Sequence, residues 1–150
     1  MPTYPGAAAA VRANLMLIAA GQKAPPQTVG YFTDDQFKAI NAERTGRNLP
    51  PIKSKDIVYV GRHHYKRRCV EDGYSIDDLI DQVISALDAS AEVKASPKMT
   101  TMRIPISRAD NYKNMVMDEA VFECTTHKPH AELYSVIPKG DTNKPKRNAP

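Results

Sequence analysis

Residues 61–87 read GRHHYKRRCVEDGYSIDDLIDQVISAL. The run predicts a short basic helix, a tight turn and an amphipathic helix. In its second half Ile76, Leu79, Ile80, Val83, Ile84 and Leu87 fall at spacings that fill one helical stripe. Ser75 stands where an N-cap belongs, because its hydroxyl can accept from the unpaired amides of the first turn. Tyr74 and Leu79 occupy the two positions of a hydrophobic staple. Asp77, Asp78 and Asp81 suit the positive end of the helix dipole. Gly73 can take the left-handed conformation that stops a helix, which leaves residues 62–71 for the preceding one. On that helix His64 and Arg68 are four apart and share a face, as do His63 and Arg67. An imidazole moves protons near neutral pH and a guanidinium grips phosphate, so this pairing is where chemistry is expected.

Working outward, the 150 residues suffice for one domain with a core. The hydrophobic fraction of 41% and charged fraction of 25% are those of an ordinary globular chain. A net charge of +4 allows an anionic partner without requiring one. Cys69 and Cys124 are too few for a disulfide framework and read as free thiols. The longest apolar run, residues 7–20, contains Arg12 and Asn14 and is too short and polar to span a membrane. It lacks the basic start of a signal peptide and is expected to be a terminal helix.

The remaining elements follow from punctuation. Residues 21–30, with Pro25 and Pro26, read as a linker, and the helix before it either packs on the domain or is a junction from a larger polypeptide. Thr33 and Gln36 form a capping box with Phe32 and Phe37 as a staple, which starts a helix over 34–44. Leu49-Pro50-Pro51 forces extended chain, and residues 57–60 read as a short strand. After a polar connection, strands are expected near 100–106, 115–124 and 132–138, with Pro105 marking an edge or bulge. The domain is therefore placed at 31–140, with a basic tail over 141–150. Helices followed by an antiparallel sheet make an α+β fold.

Several motifs carry little. No Walker or GxGxxG spacing exists, so nothing supports nucleotide binding. Cys124, His127 and His130 are three apart, and Cys69 could be drawn in as a fourth ligand. Pro129 interrupts the loop and no Cys-x2-Cys pair supports it, so no metal is expected. The basic helix has more weight. Arg62, Lys66, Arg67 and Arg68 are interleaved with His63, His64 and Tyr65, between two apolar elements that hold them rigidly.

The run His64-x-x-x-Arg68-x-x-x-x-Gly73-Tyr74-Ser75-x-x-Asp78-Leu79-Ile80 resembles the opening of small bacterial and phage nuclease toxins. These belong to the superfamily of barnase, EndoU, the colicins and RelE. The resemblance covers about residues 57–138 and leaves 1–50 outside. It implies N-terminal helices followed by a curved antiparallel sheet. It also implies a hydroxyl-bearing active residue on the last strand, where Tyr134 and Ser135 stand. The implied activity is cleavage of RNA, with tRNA as one target, by its own 2′-OH without metal or cofactor. His64 would be the base or acid and Arg68 the phosphate clamp. Tyr134, Ser135, His127 and His130 are candidates for the other proton. Arg62, His63, Lys66, Arg67, Arg103 and Lys139 would line the positive cleft. The implied partner is an acidic immunity protein or antitoxin. The implied location is the cytoplasm of the producing or target bacterium, with delivery inside a larger effector as a second route.

Two other readings stay open. One is a phage or mobile-element protein that holds nucleic acid on the basic helix without cutting it. The other is an immunity or inhibitor protein, which the basic charge disfavours. A nuclease leaves 2′,3′-cyclic ends in EDTA, and a binder leaves the RNA intact.

Overall fold

The computed structural model describes residues 1–88, 96–98, 100–109, 115–125 and 128–138, with the backbone alone for 96, 107–109 and 115–117. Helix α1 (Ala7–Ala19) leads to β1 (Gln27–Tyr31), α2 (Asp34–Gly46) and β2 (Asp56–Tyr59). A single turn, α3 (Arg62–His64), runs directly into a π-helix (Tyr65–Glu71), and α4 (Ile76–Asp88) follows. The two-residue β3 (Ser96–Pro97), then β4 (Thr101–Ala109), β5 (Met115–Glu123) and β6 (Ala131–Ile137) complete the order. The expected α+β class holds, and every expected helix and strand is present.

Three expectations are corrected. The sheet is mixed, in the order β1-β2-β6-β5-β4-β3, because β2 pairs parallel to β6 through Ile57 and Ala131 while the other pairs are antiparallel. The stretch 21–30 is not merely a linker. Residues 27–31 form an edge strand in which Val29 is fully buried. Strand β4 also runs to Ala109, three residues past its expected end at 106, and Ala109 pairs with Met115. Pro105 lies past the reach of β3, which covers only Met102 and Arg103. Its missing amide therefore costs no ladder bond on that side.

The caps form as read. Thr33 and Gln36 exchange side-chain and backbone hydrogen bonds at the start of α2. Ser75 and Asp78 do the same at α4, where Asp78 supplies the returning carboxylate. On α4, Leu79, Ile80, Val83, Ala86 and Leu87 are buried, and Ile84 packs half-buried beside them. Opposite, the sheet contributes Ile57, Met102, Ile104, Ile106, Phe122 and Leu133. Phe32 and Phe122 meet at 5.4 Å in a tilted pair near the middle of this core.

Helix α1 is part of the same core. Val11 and Leu15 are fully buried. Asn14, also fully buried, donates its amide to the carbonyls of Pro25 (2.7 Å) and Val60 (3.0 Å). A buried amide that satisfies carbonyls of two distant segments fixes their relative position, since losing it strands them without partners. Gly61 then turns the chain from β2 into α3. Its φ is 99°, and a Cβ there would sit 2.7 Å from the Tyr59 ring. Only glycine permits that turn over a buried tyrosine.

Candidate nucleic-acid interface

Gly61 decides which way the basic segment faces. One residue into the turn, His63 is partly exposed, whereas His64 is fully buried. The Tyr59 hydroxyl lies 2.8 Å from His64 Nδ1, and Gln82 Oε1 lies 2.9 Å from Nε2. One neutral tautomer satisfies both contacts, with Nε2–H donating to Gln82 and Nδ1 accepting from Tyr59. Burial pushes the imidazole down to about 4, with Arg68 and His63 adding to the effect and the Gln82 hydrogen bond opposing it. His64 therefore ties β2 to α4 from inside the core.

His64 and Arg68 do not present a shared open face, because His64 is fully buried. Past His64 the chain continues as a π-helix, and its guanidinium groups turn to the carboxylates four residues on. The Arg68 side chain is 11% exposed and ion-paired to Asp72 at 3.1 Å. Its Nε is buried without a partner. Gly73 ends the π-helix at φ 82°, as expected of it.

What reaches the surface is His63. Its ring stacks on Tyr134 of β6, with centroids 4.2 Å apart and an interplanar angle of 20°. Partial burial lowers its pKa, and Arg67, Arg68 and Lys66 lower it further, against an opposing pull from Glu71. The imidazole is thus neutral at pH 7 and able to accept a proton. Lys66 and Arg67, which act on it, are exposed, as is its sequence neighbour Arg62. Arg67 is paired with Glu71 at 3.1 Å. Arg62 and Lys66 have no carboxylate partner among the described residues.

Strand β6 contributes a feature absent from the sequence reading. Glu132 stands directly opposite Glu123 in the ladder, an arrangement of like charges that normally destabilises a pair. Burial raises the Glu132 pKa, Lys128 opposes the rise and Glu123 adds to it. Burial also raises the Tyr134 hydroxyl, with both carboxylates adding to the effect. A register shift between Val121 and Phe122 makes Tyr134 the extra residue of β6, with Leu133 and Ser135 paired on either side of it. Two glutamates opposite one another in paired strands would have pointed to this carboxyl pair, but the register is visible only in the folded sheet.

The other expected residues scatter. Ser135 is 4% exposed with its hydroxyl buried and unpartnered, so it is closed to a substrate. Arg103 pairs with Glu119 at 2.8 Å on β4, two strands from β6 and so about 10 Å across the sheet. His130 is half-buried before β6 begins, and Cys124 is buried at the end of β5. His127 and Lys139 lie outside the described residues. Among the described residues no three His, Cys, Asp or Glu side chains are grouped to hold a metal ion. No described helix is long and apolar enough to cross a membrane.

No family model, no curated protein and no solved structure matches this chain.

Proposed function

We propose that this protein binds RNA along its basic helix and cleaves it without a metal, with His63 in the place the sequence reading assigned to His64. The observation that carries the proposal is the stack of a neutral, partly exposed His63 on Tyr134, in a segment whose Arg62, Lys66 and Arg67 are exposed. Those cations attract the phosphodiester chain, and the neutral imidazole accepts the 2′-OH proton as that oxygen attacks phosphorus. The leaving 5′-oxygen needs a proton in return. Glu132, whose raised pKa keeps more of it protonated, is the carboxyl of β6 proposed to supply it. The proposed setting is a bacterial cytoplasm, with an acidic immunity protein or antitoxin covering the basic helix.

A second reading has its own support. No hydrogen bond orients the His63 ring among the described residues, whereas a general base is usually held by one. Stacked rings beside cations also suit base-stacking without chemistry. Incubation of structured RNA with the protein in EDTA separates the two. The cleavage reading expects products with 2′,3′-cyclic phosphate ends, and a loss of about 10²–10⁴ in rate for His63→Ala with most RNA binding kept. Intact RNA that remains bound would leave the helix as a binding surface only. Absence of both cleavage and binding would end both readings.

A further inference from the structure

At the far end of β2 from His63, the chain builds a second cationic pocket that the RNA reading does not use. Its volume is about 230 Å³, below the roughly 300 Å³ at which sites for drug-sized ligands begin. Three cationic side chains line it, Arg44, Lys53 and Lys128, and no lining residue is acidic. Arg44 is 2% exposed. Its Nε donates to the Pro50 carbonyl at 2.7 Å, and its Nη1 is buried with no partner. No ion pair compensates this guanidinium among the described residues. A buried charge left in that condition is costly unless something of opposite charge completes it.

The pocket cannot supply that charge from its own wall. Cys124 lines it, but burial raises the thiol's pKa more strongly than Arg44 lowers it, which keeps the sulfur neutral. The wall is also rigid. Ile52 exchanges two hydrogen bonds with the Asn41 side chain, at 2.9 and 3.1 Å. The amides of Lys53 and Ser54 both donate to the Pro129 carbonyl. Loop and turn are therefore held in place before any ligand arrives, which removes most of the ordering cost of binding.

We infer that this pocket binds a phosphate-class dianion, with the Arg44 guanidinium at its floor and Lys53 and Lys128 at its rim. Three cations match the charge of a phosphate or phosphate monoester, about −1.5 to −2 at neutral pH, better than that of a single carboxylate. The Thr125 hydroxyl, also in the lining, adds a donor. The inference does not depend on the RNA reading, because Arg44 and Lys53 take no part in that reading, although Lys128 also acts on Glu132.

The test is a titration of the full chain with inorganic phosphate, followed by ³¹P NMR and calorimetry. Saturable binding of one phosphate is expected. Lys53 and Lys128 are exposed, so Lys53→Ala/Lys128→Ala should keep the fold and weaken binding at least ten-fold. Arg44→Met should abolish it, with circular dichroism checking that it folds. Lys23→Ala, at an exposed position outside both sites, should bind phosphate as the unaltered protein does. A nucleoside monophosphate that competes at equal or greater strength identifies an esterified ligand, and one that is excluded identifies the free ion. Either result supports the site. Absence of saturation, an unchanged affinity in the double lysine variant, a loss with Lys23→Ala, or equal competition by acetate would overturn it.

Discussion

His64 is held neutral inside the protein, and this makes stability depend on pH. Its folded pKa is about 4 against an ordinary 6.5. Between those values the unfolded chain takes up a proton here and the folded chain does not. The contribution is complete above pH 6.5 and is lost as pH falls toward 4, a loss on the order of 3 kcal/mol. Urea melts at pH 7 and 4.5 should show this, and His64→Gln should flatten the difference while lowering stability at pH 7. An undiminished pH slope in His64→Gln would assign the acid loss to other groups. At His63 the opposite experiment applies. As a general base it acts in the neutral form, so kcat/KM for RNA should fall on the acid side, below a pKa lower than 6.5, because burial and three cations hold it down. Glu132 as the proton donor should add a falling limb on the alkaline side, which Glu132→Gln should remove. An acid limb that persists unchanged in His63→Gln would argue against His63 as the base.

The α4 helix is the element on which the core is assembled. Leu79 and Val83 are fully buried, so Leu79→Ala should cost about 2–5 kcal/mol and Val83→Ala somewhat less. Asp81 is exposed, and Asp81→Ala should leave the melting temperature within a degree or two. Equal melting temperatures for all three would mean that the apolar stripe does not face the sheet. The turn before α3 is as sensitive for a different reason. Gly61→Ala imposes a positive φ on a residue with a side chain and drives its Cβ against Tyr59. A loss of about 1–3 kcal/mol is expected, together with a changed His63–Tyr134 stack visible in the aromatic NMR shifts. The basic helix should show itself in the salt dependence of RNA binding. Arg62, Lys66 and Arg67 together give a slope near −2 against log salt, at about −0.7 per phosphate on a single strand. Lys66→Ala should reduce that slope by about a third.

Across the molecule, the N-terminal helix is bound to the rest by core and by hydrogen bonds together. Removing residues 1–25 would expose the surfaces that cover Val11 and Leu15. It would also leave the Tyr59 and Val60 carbonyls without the Asn14 amide. The shortened chain should lose its cooperative thermal transition. One that melts like the full chain would show that α1 only decorates the domain. The two cationic sites divide along the same strand, with the basic helix after β2 and the Arg44 pocket before it. Arg44 and Lys53 variants should not affect RNA binding on the basic helix, whereas Lys128 variants also act on Glu132.

Much of this was legible in the chain because it rests on short-range physics. Caps at Thr33 and Ser75, a stop at Gly73 and the stripe on α4 each depend on residues within a turn or two of one another. The α+β class followed from their order. The site was legible only in part. Four-residue spacing placed His64 and Arg68 together, but which of two adjacent histidines enters the core depends on Tyr59 and Gln82, both outside the basic helix, and on a π-helix that spacing does not announce. The parallel pairing of β2 with β6, the opposed Glu123 and Glu132, and the buried Arg44 beside Lys128 join residues dozens of positions apart. Such contacts depend on register and packing between distant segments, and no local pattern encodes them.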